Sequence, residues 1–436
     1  MALTPARSPH LARAVAVLLA GGAAAQLLPL LLGPVLARLY SPAAMGLYTA
    51  FAAWAATLAV AACGRYDFAL PLARDEAEAE GLLALCVRIG IGVSLSMVLL
   101  SIVWIVLWPD TSHLVAWLAP LVALMAWVQL RVMWATRAQA FQAMALSRFV
   151  QYGAVALLQV AVAWGAMGAP GLHAAWGGPL PAEQAWLLVA SQAVALGLAA
   201  WVLRRPAPRR GWLRAAWPPA DAPGLRELAR RHRDFPLLNA PHALLGALQD
   251  ALAVALILAF TGDVAAGFWG LALRYLKAPA ALVGQAVSQA VYPRLAQTSV
   301  AEGRRLVRRL LALLAALGVL GAALLMLVGP ALFAWAFGEP WRPAGELARA
   351  LAPYIAVHFV AAPLAVVTMA WQAQAWAFKL ALVGQAVFLL ALALGLWQGG
   401  LQGAAWAVSL AMLPYFGWYF WRLANWPLAP KGREAA

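Results

Sequence analysis

The chain has 436 residues, of which 65% are hydrophobic and only 11% are charged. An average soluble protein has about 25% charged residues, so this composition excludes an ordinary soluble domain. A mean hydropathy of +0.79 agrees with a membrane protein. The formal net charge of +15 would indicate a nucleic-acid surface in a soluble chain, so the placement of the basic residues decides what that charge means.

A membrane-spanning helix needs about 20 mainly apolar residues. Twelve such runs follow one another along the chain: 14–37, 45–64, 81–107, 114–134, 149–167, 185–203, 237–260, 265–293, 307–328, 347–369, 376–397 and 402–421. They predict an all-α polytopic membrane protein with twelve transmembrane helices. Arg7 and Arg13 before the first run are typical of a signal peptide, but hydrophobicity continues to Leu36, so we expect an uncleaved helix.

The basic residues fall mostly in alternate loops between these runs. Cytoplasmic loops of membrane proteins retain Lys and Arg, so this pattern predicts that both termini are cytoplasmic. Only Arg38, Arg342 and Arg349 fall at outer ends. Because the charge is explained by topology, we expect no nucleic-acid partner.

The longest hydrophilic stretch, 204–236, contains nine arginines and predicts a cytoplasmic linker with some amphipathic helix. It separates two predicted domains of six helices each, 1–203 and 237–436. A shift of 221 residues aligns Gly46-Leu47-Tyr48 with Gly267-Phe268-Trp269. The alignment predicts two bundles related by a pseudo-twofold axis along the membrane normal, with the substrate site between them. Chance similarity between apolar helices is the alternative.

Two stretches of the chain resemble a known family. The run from Leu36 to Tyr48, followed by Arg65-Tyr66-Asp67-Phe68-Ala69-Leu70-Pro71-Leu72 and several acidic residues, resembles the N-terminal signature of the bacterial polysaccharide transporter family, the Wzx-type flippases. The stretch 266–294 is similar to the eighth helix of that family. Asp67 stands where the family more often has Glu, which keeps the carboxylate.

The resemblance implies a V-shaped, two-bundle transporter of the multidrug/oligosaccharidyl-lipid/polysaccharide superfamily in the bacterial inner membrane. Its cargo would be an undecaprenyl-pyrophosphate-linked oligosaccharide, moved from the cytoplasmic to the outer leaflet by alternating access for O-antigen or other polysaccharide biosynthesis. The implied partners are the bilayer, H⁺ or Na⁺ as a coupling ion, and the polymerase and chain-length proteins of the same pathway.

Polar residues form a stripe along the eighth predicted span. At 100° per residue the stripe occupies an arc of roughly 80°, which Gln289 widens to about 120°. From Arg274 to Tyr292 it extends about 27 Å along the helix. Its members are Arg274, Lys277, Gln285, Ser288, Tyr292 and Gln289. A charge near the bilayer centre costs at least about 2.5 to 3.5 kcal/mol, so such residues normally face protein or a watery cavity.

Two interpretations of the charges in this stripe are open. Arg274 and Lys277 would bind the pyrophosphate of the cargo, because arginine offers a fork of donors and lysine a compact charge. Alternatively they form a structural ion pair with Asp250 in the seventh span. Both interpretations are compatible if Asp250 releases a cation to the cargo or carries a coupling proton.

Three further charged residues are weaker candidates. Arg88 lies inside the third span, where it either extends to the membrane surface or lines the cavity. Arg65 and Asp67 flank Tyr66 at a span end, where they form either a local ion pair or loop anchor, or part of a gate or cavity. Asp67 is the second candidate for ion coupling.

Other chemistry lacks its signature in this sequence. None of the three lysines follows a glycine, so there is no Walker A motif, and neither an H-E-x-x-H nor a C-x-x-C occurs. We therefore expect no cofactor, no metal, no disulfide framework and no enzymatic activity. A membrane polysaccharide polymerase or ligase is the enzyme alternative, although the longest outer loop, 168–184, has few polar residues. A cation-coupled multidrug exporter of the same superfamily is the transporter alternative.

Overall fold

A computed structural model describes residues 27–108, 113–168 and 178–427 of the chain. In these ranges the chain is almost entirely helical and has no β-sheet; an isolated bridge joins Tyr40 and Leu180. The chain divides into two compact units, Met1–Ala251 and Leu252–Ala436. The division at the linker 204–236 stays a prediction. The linker helix contacts the first unit, and the boundary between the two units follows Ala251.

The first unit contains seven described helices of 7 to 32 residues. They are α1 Leu27–Leu39, α2 Pro42–Ala61, α3 Glu76–Leu107, α4 Leu118–Arg137, α5 Phe141–Met167, α6 Ala185–Val202 and α7 Leu225–Arg231. A π-helical turn, Val150–Ala154, interrupts α5. The short α7 confirms the helix expected in the linker: Leu228 is buried, whereas Arg226 and Arg230 point outward.

The remaining helices are long, and two of them are broken by glycine. They are α8 Ala240–Gln297, which contains the boundary between the units, α9 Val300–Phe337, α10 Arg342–Ala370 and α11 Gln374–Ala424. Gly262 adopts φ 84° inside α8, and Gly400 adopts φ 59° inside α11. Glycine adopts positive φ without steric cost, so each helix becomes two arms that meet at a bend.

The twelve-span prediction is confirmed in the described part of the chain. Nine of its helices are long and apolar enough to cross a membrane. The bends in α8 and α11 split two of these into pairs of spans, and α1 supplies the described part of the first span. Residues 14–26 of that predicted span lie outside the described ranges. The fold is therefore that of a multi-pass, all-α membrane protein.

The third helix begins earlier than its apolar run. Asp75 caps α3, its side chain accepting a hydrogen bond from the Glu78 amide at 2.8 Å, and Glu76 lies in the first turn. Carboxylates stabilise a helix N-terminus. With 32 residues, α3 is about 48 Å long, against a hydrocarbon thickness of about 30 Å. Its first turns therefore lie beyond the hydrocarbon, where the linker packs against them.

Small residues allow α9 and α10 to pack closely in the second unit. A Cβ atom placed on Gly345 would lie 2.6 Å from the carbonyl oxygen of Gly329, and one on Gly318 would lie 2.9 Å from that of Ala356. Contacts of this length leave no room for a side chain. Close backbone approach through small residues is a common mode of helix association in membranes.

Candidate functional site

A tight turn joins α2 to α3 and carries the Arg-Tyr-Asp motif. Gly64 and Arg65 both adopt left-handed backbone conformations, with φ of 58° and 61°. Such a conformation is uncommon for arginine and indicates a position that its surroundings determine strongly. Arg65 Nε donates a 2.9 Å hydrogen bond to Oδ1 of Asn239, and the guanidinium lies 4.0 Å from the ring centre of Phe68.

Asp67 is almost completely buried in this turn, with 3% of its surface exposed. Its carboxylate accepts a 3.3 Å hydrogen bond from Nε2 of Gln129 on α4. Burial raises the pKa of the Asp67 carboxyl above its ordinary value, and the Gln129 bond and the Arg65 charge oppose that rise. A buried carboxyl with a raised pKa takes up a proton more readily than a carboxyl in water, which a proton carrier also needs.

Tyr66 completes the connections of the motif. Its hydroxyl donates a 3.2 Å hydrogen bond to the carbonyl oxygen of Ala229 in α7. The three motif residues thus contact three different elements: Arg65 the π-helical turn that precedes α8, Tyr66 the linker helix and Asp67 helix α4. The contacts of Arg65 are those of a loop anchor, and its role in a gate or cavity stays a prediction.

Arg88 is bonded to the linker. Its Nε donates a 2.9 Å hydrogen bond to the carbonyl oxygen of Ala216, and its side chain is exposed. The sequence places Arg88 either at the membrane surface or in a cavity, without foreseeing this bond. The distance of 128 residues between the partners explains why: hydropathy reports the depth of a residue but not its long-range partner.

Buried acids on α3 hold the linker in place. Glu78, 3% exposed, accepts bonds from Arg231 at 2.8 Å and from the backbone amide of Arg74 at 2.8 Å, with His232 at 3.4 Å. Glu80 is also buried and accepts a bond from the backbone amide of Arg209. In the sequence these acids belong to the family-like motif. The linker has nine arginines of opposite charge, but the sequence alone does not say which acid pairs with which arginine.

The polar stripe of the eighth predicted span lies on the second arm of α8. Arg274, Gln285 and Tyr292 are exposed within the second unit, and Lys277 is half-buried. Ser288 Oγ donates a 3.2 Å hydrogen bond to the carbonyl oxygen of Pro363 on α10, so its hydroxyl contacts the neighbouring helix. The side chain of Gln289 lies outside the described part of the structure.

Lys277 lies close enough to His358 of α10 for their charges to interact. Asp250 is exposed and belongs to the first unit, whereas Arg274 and Lys277 belong to the second. The ion pair expected among these three residues stays a prediction. In the described ranges no group of three or more His, Cys, Asp or Glu side chains could hold a metal ion.

Comparison with known proteins gives a likeness in fold. No family model and no curated protein matches the chain. An inward-facing multidrug resistance MATE family transporter of the MOP superfamily has a TM-score of 0.62 and 12% identity, with 94% of each chain covered. The lipid II flippase MurJ, in an inward closed conformation, has a TM-score of 0.65 and 10% identity, covering 96% of this chain and 90% of MurJ.

A Vibrio cholerae MATE transporter, VcmN in its bent form, has a TM-score of 0.52 and 16% identity, covering 95% of this chain and 97% of VcmN. This chain has the fold of MOP-superfamily transporters. The likeness extends over nearly the whole chain and agrees with the fold that the sequence motifs imply. All three structures are of transporters or flippases, and their identities of 10 to 16% carry the fold and not the cargo.

Proposed function

We propose that this chain is a flippase that moves an undecaprenyl-pyrophosphate-linked oligosaccharide from the cytoplasmic to the outer leaflet of the inner membrane by alternating access. The observation that carries the proposal is the pair Arg274 and Lys277 on the second arm of α8. Arg274 is exposed within its own unit and Lys277 is half-buried beside His358. Basic groups inside a membrane span favour an anionic cargo.

The cost of these charges supports a functional role. Two cations near the bilayer centre cost at least about 5 kcal/mol on insertion scales, a large amount relative to the stability of a protein. A pyrophosphate offers oxygen acceptors to both residues: the arginine fork can bind two oxygens, and the lysine adds a point charge. Arg88 stays a predicted member of this set: its bond to the linker uses Nε, and a guanidinium has five N–H donors.

The fold supports the transport step. Among the solved structures with this fold is the lipid II flippase MurJ. An outward-moving anion gains about 2.3 kcal/mol per charge per 100 mV of inside-negative potential. Flipping by this chain therefore does not require nucleotide hydrolysis, and Asp67 and Asp250 are the candidates for coupling to H⁺ or Na⁺.

A multidrug exporter is the second candidate, and the likeness to MATE transporters supports it. Cationic drugs would be repelled by Arg274 and Lys277, because like charges in a low-dielectric site cost several kcal/mol. The two functions therefore differ in the sign of the cargo charge.

The test is a flipping assay in proteoliposomes with a defined undecaprenyl-pyrophosphate-linked disaccharide, whose exposure is followed by an added glycosidase. We expect Arg274→Ala with Lys277→Ala to lower the flipping rate at least tenfold. The matched control is Arg309→Ala, which removes an exposed arginine on α9 and should leave the rate unchanged. Full activity of the double variant, or efflux of ethidium without flipping of the disaccharide, would contradict the proposal.

A further inference from the structure

The first unit has an apolar cavity of about 480 Å³ between α3 and α4. Its walls include Cys86, Gly90 and Ser94 on α3 and Ala123 and Trp127 on α4. The cavity is within the usual size range of small-ligand sites, roughly 300 to 1,000 Å³. Only 6% of the most apolar window of α3 is buried inside the protein, so this wall faces the surrounding lipid. The material available to fill the cavity is therefore hydrocarbon.

One end of this cavity meets the linker. The ring of Trp127 lies 5.5 Å from that of the linker residue Trp212, and the guanidinium of Arg131 lies 4.9 Å and 4.7 Å from those two rings. Arg88 follows the cavity-lining Val87 and is bonded to Ala216 of the linker. The cavity thus has an apolar body inside the span and a basic rim at its predicted cytoplasmic end.

The rim retains capacity for an anion. Arg88 uses Nε in its bond to Ala216, and a guanidinium has five N–H donors. Arg131 Nε is buried without a hydrogen-bond partner, and in the described ranges its charge meets tryptophan rings and a backbone carbonyl. Arg214, in the same turn as Trp212, is exposed. Basic pockets between transmembrane helices on the cytoplasmic side bind anionic lipid headgroups.

We propose that this cavity binds a phospholipid of the cytoplasmic leaflet, with one acyl chain between α3 and α4 and an anionic headgroup against Arg88 and Arg214. The segment of α3 from Cys86 to Leu95 that lines the cavity is about 13 Å long, which suits part of an acyl chain. An undecaprenyl chain is several times longer. The lipid would join α3 to the linker that packs across its cytoplasmic end.

The test measures bound lipid by native mass spectrometry of the purified full-length protein, washed in detergent and offered equal amounts of phosphatidylglycerol and phosphatidylcholine. The wild type should retain phosphatidylglycerol at least fivefold over phosphatidylcholine. A second apolar cavity, of about 540 Å³ between the arms of α11, can hold lipid of its own. The variants are therefore compared with the wild type by the number of phosphatidylglycerol molecules bound per protein, which should fall by one.

Two variants test the two parts of the site. Gly90→Phe should fill the cavity, because a Cβ at Gly90 meets only the carbonyl oxygen of Ala62, at 3.9 Å. Arg88→Ala with Arg214→Ala removes the basic side chains of the rim. Each should lose one phosphatidylglycerol. Gly92→Phe is the matched control: it lies two residues away, its Cβ would meet nothing within 4 Å, and it should retain the lipid.

Three results would overturn the proposal: equal retention of the two lipids, retention of phosphatidylglycerol by both Gly90→Phe and the arginine variant, or displacement of phosphatidylglycerol by undecaprenyl phosphate at equal concentration. The last would assign the cavity to the prenyl chain of a carrier lipid. If Gly90→Phe does not elute as a monodisperse species, Ala123→Phe on the opposite wall takes its place with the same expected loss.

Discussion

Removing the charge of Glu78 should release the linker from α3. Glu78 and Glu227 both accept a bond from Arg231, at 2.8 Å and 2.7 Å, but Glu78 is 3% exposed and Glu227 is 60% exposed. Glu78→Gln keeps the size of the side chain and removes its charge. Glu227→Gln makes the same chemical change at the same arginine in solvent, so it is the matched control.

The burial of Glu78 sets the size of the effect. A hydrogen bond to a charged group contributes about 1.5 to 3 kcal/mol, and we take the lower part of that range because Arg231 is 34% exposed. A loss of about 2 kcal/mol raises the population of the released linker about 30-fold. The exposed pair of Glu227 is screened by water, so its variant should change that population less than about twofold.

Limited trypsin digestion of the purified protein measures this release. Cleavage after Arg230 requires α7 to unfold locally, and its rate follows the open population when opening is fast relative to cleavage. We expect the rate to rise about 30-fold in Glu78→Gln and to stay near the wild-type value in Glu227→Gln. Equal rates in the two variants would refute the view that the buried carboxylate holds the linker.

Two other substitutions have defined outcomes. Burial raises the folded-state pKa of Asp67, so the folded protein is destabilised when this carboxyl ionises. The full stability is present below the ordinary pKa of 3.8, and the contribution of Asp67 is lost as pH rises through its folded-state pKa. Asp67→Asn should therefore show a smaller fall in Tm between about pH 4 and about pH 8; an unchanged fall would contradict this. Gly345→Val should lower Tm, because overpacking costs about 1 to 3 kcal/mol. Gly321→Val is the control, because a Cβ at Gly321 meets nothing within 4 Å, and it should leave Tm unchanged. Equal losses of Tm in the two variants would argue against close packing of α9 and α10.

The number of spans and the places where they bend could be predicted from the sequence. The gap between the predicted spans 237–260 and 265–293 contains Gly262, and that between 376–397 and 402–421 contains Gly399 and Gly400. Loss of hydropathy and the conformational freedom of glycine are both local properties, so they are visible in sequence. The start of α3 at Glu76 could also have been found, because Asp75 is a favourable helix cap.

The packing of the linker could not be predicted in the same way. Its contact with α3 depends on Glu78 and Arg231, which are 153 residues apart, and on the absence of a side chain at Gly81, where a Cβ would lie 2.7 Å from Leu228. Composition alone describes 204–236 as an exposed, arginine-rich linker. Whether such a segment is solvated or packed depends on the surface it meets, here that of α3. A single sequence does not show which distant residues form that surface.

The contacts of the Arg-Tyr-Asp motif explain why a family-like signature occurs at a turn. Arg65 binds Asn239 at the entry to α8, Tyr66 binds the linker helix, and Asp67 binds Gln129 of α4. A displacement of the start of α8 therefore reaches α4 through two hydrogen bonds and three consecutive residues. The charges of Arg65 and Asp67 also attract each other. Protonation of Asp67 therefore removes an attraction that acts on the guanidinium bonded to Asn239. The motif thus connects a titratable group to the linker and to the helix that leads into the second unit.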